Sequence, residues 1–96
     1  MKTIRIFDHA GEFAENKDVA RNLRTTLLLP ELNKGKPIVL DFDGVDSTTQ
    51  SFIHALISDV IRKLGSDVLD RISFKNCSIT VQKIIGIVTD YVQEGA

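Results

Sequence analysis

Asp41 and Asp43 stand two residues apart in "VLDFDGV", at the end of an apolar run. Side chains alternate along an extended chain, so residues i and i+2 share a side. Two carboxylates placed in this way can hold a Mg²⁺ ion against a phosphate, one attacking phosphorus while the other handles the proton. A second group follows at once. Ser47, Thr48, Thr49 and Ser51 put four hydroxyls within five residues, just ahead of an apolar-periodic stretch. Hydroxyls at such a place cap the free N–H groups of a helix start, take up a phosphate, or meet a partner protein.

The string "DFDGV" resembles the opening signature of haloacid-dehalogenase-type phosphatases. Their reaction also needs a Lys or Arg on the phosphoryl group and further carboxylates, carried on later strands of a longer domain. Here only "GSDVLD" (65–70) resembles such an acidic motif, and it follows after one helix. A receiver-type phosphoacceptor pair fits no better, for want of a partner Lys after a later strand and of a five-strand frame. The stronger expectation is a turn. Gly44 tolerates the positive φ that a tight turn requires, and Asp41 hydrogen-bonds loop amides at the strand end. Asp41, Asp43, Gly44 and Asp46 then shape an acidic loop. A small Mg²⁺-dependent phosphotransfer or phosphatase-like enzyme using Asp41 and Asp43 stands as the alternative.

Whichever chemistry applies, the bulk composition bounds the host. Ninety-six residues suggest one domain with a modest core. A 43% hydrophobic share with 26% charged residues is ordinary for a soluble globular protein. Twelve Lys and Arg against thirteen Asp and Glu leave a net charge of −1, against the basic surface that a nucleic-acid binder uses. The N-terminal "MKTIRIFDHAGEF" has no signal-peptide apolar core, and "LLL" and "IIGIV" fall far short of the roughly 20 residues of a membrane span. Cys77 is the one cysteine, so no internal disulfide forms and a cytoplasmic setting is expected. His9 and His54 show no ligand spacing with each other or with Cys77, so neither metal nor cofactor is expected.

The elements that must position the loop follow from periodicity. "KTIRIF" (2–7) alternates and predicts an edge-type strand; "DHAGEFAE" reads as a loop. Asn16 is a good N-cap for a helix through Val19, Ala20, Leu23 and Leu27 that Pro30 should end or kink. "PIVLDF" (37–42) predicts a buried central strand. From about Thr49, Phe52, Ile53, Leu56, Ile57, Val60, Ile61 and Leu64 form one apolar helical face, closed by Gly65, with His54, Ser58 and Arg62 on the solvated side. "RISFKN" (71–76) predicts a third strand. Ser78 or Thr80 can cap a last helix carrying Val81, Ile84, Ile85, Val88, Tyr91 and Val92 on one side, with the "QEGA" tail fraying. The order β-α-β-α-β-α implies a small α/β sandwich, a mainly parallel sheet with crossover helices.

With these elements in place, "VLDFDGVDSTTQSFIHALI" (39–57) resembles the central segment of STAS domains. There an apolar strand ends in Leu-Asp-apolar, then x-Gly-Val-x, two further residues, Asp-Ser-Ser-Gly and an apolar helix. The chain is more similar still to the prokaryotic STAS-like family of unknown function, which carries Asp-Phe-x-Gly-Val followed by a Gln-Ser-Phe helix start, here "DFDGV" and "TQSF". In the anti-sigma-factor antagonists among STAS domains, a GHKL-type ATPase phosphorylates the second Ser of Asp-Ser-Ser-Gly and partners are exchanged. The resemblance puts that position on Ser51. Thr49 stands for the Asp, Gln50 for the first Ser and Phe52 for the Gly, and a bulky Phe52 is expected to anchor the helix in the core and hinder a kinase. It also implies that the first helix and the central loop border the partner surface.

The resulting expectation is a STAS-like, non-catalytic cytoplasmic regulatory or protein-interaction module. Its partner would be a protein, a GHKL-type ATPase or kinase, with neither nucleic acid nor membrane involved. A structural subunit that self-associates as a homodimer through a strand edge or apolar helix face is the other alternative.

Overall fold

A computed structural model describes the backbone of residues 2–95 and the side chains of residues 2–93. Three strands form a parallel sheet in the order β1-β3-β5: β1 (Lys2–Arg5), β3 (Ile38–Asp41) and β5 (Ile72–Lys75). Their register stacks four rows of residues: Lys2, Ile38 and Ile72; Thr3, Val39 and Ser73; Ile4, Leu40 and Phe74; and Arg5, Asp41 and Lys75 at the end. The apolar run of β3 is central because it pairs on both sides, and Ile38, Val39 and Leu40 are all buried. This is the parallel sheet with crossover helices that the element order predicts.

The sheet is covered on one face. Ile4, Ile38, Leu40 and Ile72 are buried beneath the helices, whereas Thr3, Arg5, Ser73 and Lys75, which alternate with them, are exposed. Helix α2 (Lys17–Leu23) belongs to the first crossover and α4 (Gln50–Leu64) to the second; they pack against each other, and α4 also packs against α5 (Ile79–Gly95). Both crossovers therefore lie over the same face, as right-handed connections advancing in one direction require. The core is built there from Leu23, Leu28, Phe52, Ile53, Leu56, Ile57, Val81 and Val88. A short 3₁₀ segment (Ser66–Arg71) leads from Gly65, at φ +86°, into β5.

The loop expected over 8–15 is instead structured. Ile6–Ala10 form a helical turn, α1, so the first strand stops at Arg5 rather than residue 7. Phe13–Ala14 form β2, which pairs in parallel with β4 (Ser47–Thr48). Alternation could not reveal a two-residue ladder, because two residues carry no period.

Pro30 does not end its helix. The Asn16 side chain caps α2 by accepting from the Asp18 and Val19 amides at 2.9 and 3.4 Å. The chain then widens into a π-helical segment (Arg24–Leu28), in which the Leu29 amide bonds the Arg24 carbonyl, and continues as α3 (Leu29–Asn33) with Pro30 in its first turn. Proline lacks the donor and crowds the carbonyl four residues back. The widened turn loosens the ladder just ahead of the ring, and the Thr25 and Thr26 hydroxyls bond the Arg21 and Asn22 carbonyls at 3.0 and 2.6 Å.

Two burial expectations are corrected. Ser58 is only 3% exposed and His54 is half-buried, because α5 and α2 cover the side of α4 that looked solvated; Arg62 is exposed as expected. Tyr91, expected on one side of the last helix with its apolar residues, is 66% exposed, while Val81, Ile85, Val88 and Val92 of that side are buried. Ser78 is the cap of α5, its hydroxyl accepting from the Val81 amide at 3.1 Å. The helix extends through Gly95, and residue 96 of the tail expected to fray lies outside the described residues.

Candidate functional site

The turn after β3 forms as its sequence demands. The Val45 amide bonds the Phe42 carbonyl at 2.9 Å, with Asp43 and Gly44 between them and Gly44 at φ +86°. That is a type II turn, which calls for glycine at its third position. A Cβ on Gly44 would also lie 3.0 Å from the Phe7 ring, so α1 closes over the turn. Phe42 and Val45 are buried beneath it.

Asp41 is half-buried, and its Oδ1 accepts from the Asp43 amide at 2.9 Å and from Asn76 Nδ2 at 3.0 Å. The Asn76 bond above all, then the Asp43 amide, holds its carboxyl below the ordinary aspartate value, with help from the Arg5 and Lys75 charges in the same sheet row. Asp43 and Asp46 are exposed. Among the described residues, no three His, Cys, Asp or Glu side chains come together to hold a metal ion. Cys77 is half-buried; burial pushes its thiol up, and the Asp41 charge adds to this.

The next residues are stitched to two other parts of the chain. The Asp46 amide bonds the Glu12 carbonyl at 2.8 Å, and the Asp46 carbonyl accepts the Ser78 hydroxyl at 3.0 Å. Thr48, 5% exposed, donates its hydroxyl to the Ala14 carbonyl at 2.7 Å. Thr49 is the N-cap of α4, its Oγ1 accepting from the Phe52 amide at 3.1 Å. Ser47 is half-buried on β4. Ser51 lies exposed in the first turn of α4, and among the described residues its hydroxyl makes no hydrogen bond within the protein. Its neighbour Phe52 is fully buried, so the first turn is pinned from below while Ser51 remains at the surface.

Ser51 also stands on the wall of a groove of about 550 Å³ between α2, α4 and α5. Lys17, Arg21 and Arg24 come from the first of these elements and its π-helical continuation, Arg62 and His54 from α4, and Tyr91 from α5. Arg24 is held deepest, its side chain 15% exposed; it donates to the Ala55 carbonyl at 2.8 Å and pairs with Asp59 at 3.3 Å. Asp59 reaches Arg62 as well, at 3.6 Å. The His54 and Tyr91 rings lie 6.5 Å apart, tilted by 56°. Of this groove, sequence reasoning named Ser51, and the resemblance placed the first helix beside a partner surface. It missed the cationic wall. The signal was present as Lys17, Arg21 and Arg24 at i, i+4 and i+7, one helical face.

A parallel α/β layer whose central strand ends in an aspartate-glycine turn, followed by a hydroxyl-rich helix start, is the frame of a STAS-like domain. The family model described as the STAS-like domain of unknown function matches residues 19–82, more than half of the chain, and the protein belongs to that family. No protein of curated function and no solved structure gives a significant match. Among the described residues, no helix is long and apolar enough to cross a membrane.

Proposed function

We propose that residues 1–96 form one STAS-like domain that works as a cytoplasmic regulatory, protein-interaction module without catalysis of its own. In this reading the 43–51 loop and the first turn of α4 face a protein partner, a GHKL-type ATPase or kinase that modifies Ser51. The supporting observation is the contrast among the hydroxyls. Those of Thr48 and Thr49 bond the protein's own backbone, whereas that of Ser51 is exposed over a buried Phe52. A phosphate there would add nearly two negative charges at a helix N-terminus, which favours anions, and would change the face offered to a partner.

The test is incubation of the full chain with ATP and the GHKL-type ATPases of its own genome. Co-purification of a complex, or phosphate on Ser51 that is absent from Ser51→Ala, is the expected result. If every such ATPase leaves the chain both unbound and unmodified, the partner-switch reading fails.

A further inference from the structure

We propose that the groove between α2, α4 and α5 is a binding site for a small aromatic phosphate, a molecule of nucleoside-monophosphate size and charge. The proposal stands on the groove itself and does not require Ser51 to be modified. Its first support is a charge imbalance. The chain as a whole carries −1, yet among the described residues four of its twelve Lys and Arg line this one concavity against a single carboxylate, Asp59. Cations gathered on concave walls reinforce one another's field and select an anion.

The guanidinium of Arg24 supplies the second support. Burying an arginine is costly unless its donors are used. Arg24 places one terminal nitrogen on the Ala55 carbonyl and on Asp59; its Nε is enclosed, with no acceptor among the described residues and out of a ligand's reach, so Arg24 lends the groove its charge. A phosphate oxygen is the acceptor an open guanidinium takes best, often by two bonds at once. Arg21 is that open guanidinium. Its ion pair with Asp18, at 3.4 Å, lies in the open with both side chains more than half exposed, where such pairs contribute little and are readily given up.

The opposite wall asks for something flat. Tyr91 and Ile87, one helical turn apart on α5, are 66% and 49% exposed, although Val88 and Val92 beside them are buried. The Tyr91 ring, backed by His54, offers a face on which a planar group can stack. Cations on one side and an aromatic ring on the other define an amphipathic ligand. A volume of about 550 Å³ is within the range of small-molecule sites, and three helices bound it, which suits a compact ligand better than a long acidic segment.

Titration calorimetry and amide chemical-shift mapping on the full chain decide the matter, with the four common nucleoside monophosphates and phenyl phosphate as probes. At least one should bind saturably and shift amides in 17–24, 50–62 and 87–91. Arg21→Ala and Tyr91→Ala, both exposed and shown folded by circular dichroism, should each weaken binding about tenfold. Ser51→Glu, which sets a carboxylate on the wall, should weaken it as well. Inorganic phosphate and the free nucleosides should bind more weakly than the whole ligand. The proposal is overturned if no probe binds at millimolar concentration, if binding ignores Arg21→Ala, or if inorganic phosphate binds as tightly as the best probe. It is equally overturned if a glutamate-rich peptide occupies the groove more tightly than every phosphate, since the occupant would then be a protein segment.

Discussion

Between Asp41 and Thr49, three polar side chains turn back on the protein's own backbone. Asp41 bonds the Asp43 amide, Thr48 the Ala14 carbonyl, and Thr49 the Phe52 amide. A few residues on, across the first turn of α4, Lys17, Arg21 and Ser51 line a groove, and among the described residues the exposed Arg21–Asp18 pair is the one ion pair these three make. Similar polar groups thus do different work according to whether the fold has closed over them. A loop whose donors and acceptors are matched internally sets geometry; a concave wall whose charges outnumber their partners is where an outside molecule adds most. The contrast makes a graded forecast, in which changes in and under the loop cost stability and changes at the exposed positions of the groove wall cost almost none.

The largest effect belongs to Phe52, the fully buried residue beneath the junction of the two regions. Phe52→Ala should destabilise the domain by about 3–5 kcal/mol, read as a lower urea midpoint. A loss under about 1 kcal/mol would mean that the first turn of α4 is not anchored there, and Ser51 would no longer be held at the groove by the core. Next comes Thr48→Val, which preserves shape and removes one buried hydroxyl. The Ala14 carbonyl keeps the Thr49 amide as a second donor at 3.2 Å, so the expected loss is about 1 kcal/mol. No loss at all would show that the β2–β4 ladder holds the loop without the side-chain bond.

How much of this could be read from the chain alone divides along the same line. The loop was readable because its causes are local. Glycine at a positive φ, Thr49 as a cap and an aspartate bonding the amide two residues on are near-neighbour effects. The central strand and the apolar face of α4 were readable from period and composition. The groove was not, because its walls come from segments more than 60 residues apart in sequence, and neither α2 nor α5 shows by itself what the other covers. Tyr91 illustrates the limit. Its spacing from Val88 and Val92 places it beside the buried stripe, but whether a residue at the stripe's margin is covered depends on where α4 ends its contact. Pro30 shows a second limit: the proline was read correctly as a stress on the helix, but the relief, a widened turn steadied by two threonine hydroxyls, left no periodic trace.

Acid should loosen the loop in a way that isolates the Asp41 charge. Its folded pKa lies below its unfolded value, so ionised Asp41 contributes stability that is complete above about pH 4 and fades as pH falls through the lowered folded value. Asp41→Asn keeps an acceptor for the Asp43 amide but has no charge to lose. The wild type should therefore exceed the variant in stability at pH 7, with the gap closing toward pH 2 in denaturation series run in parallel. A gap that stays constant across that range would place the effect in shape rather than in charge, and the loop would be set by its hydrogen bonds alone.

The smallest expected effect carries the most information about the groove. Arg21→Ala removes an exposed side chain from the middle of α2, where alanine is the better helix former and the Asp18 pair is worth little. Thermal and urea midpoints should stay within about 0.5 kcal/mol of the wild type. A substitution that leaves the fold untouched while altering what the protein binds is the signature of a wall facing outward. A clear loss of stability would say instead that the cations hold α2 against its neighbours, and the division between a self-satisfied loop and an outward-facing groove would no longer describe the molecule. Comparison with Arg24→Ala sharpens the point. Arg24 is largely buried and bonded to the Ala55 carbonyl, so its loss should cost stability where that of Arg21 does not, although the two stand three residues apart on the same wall.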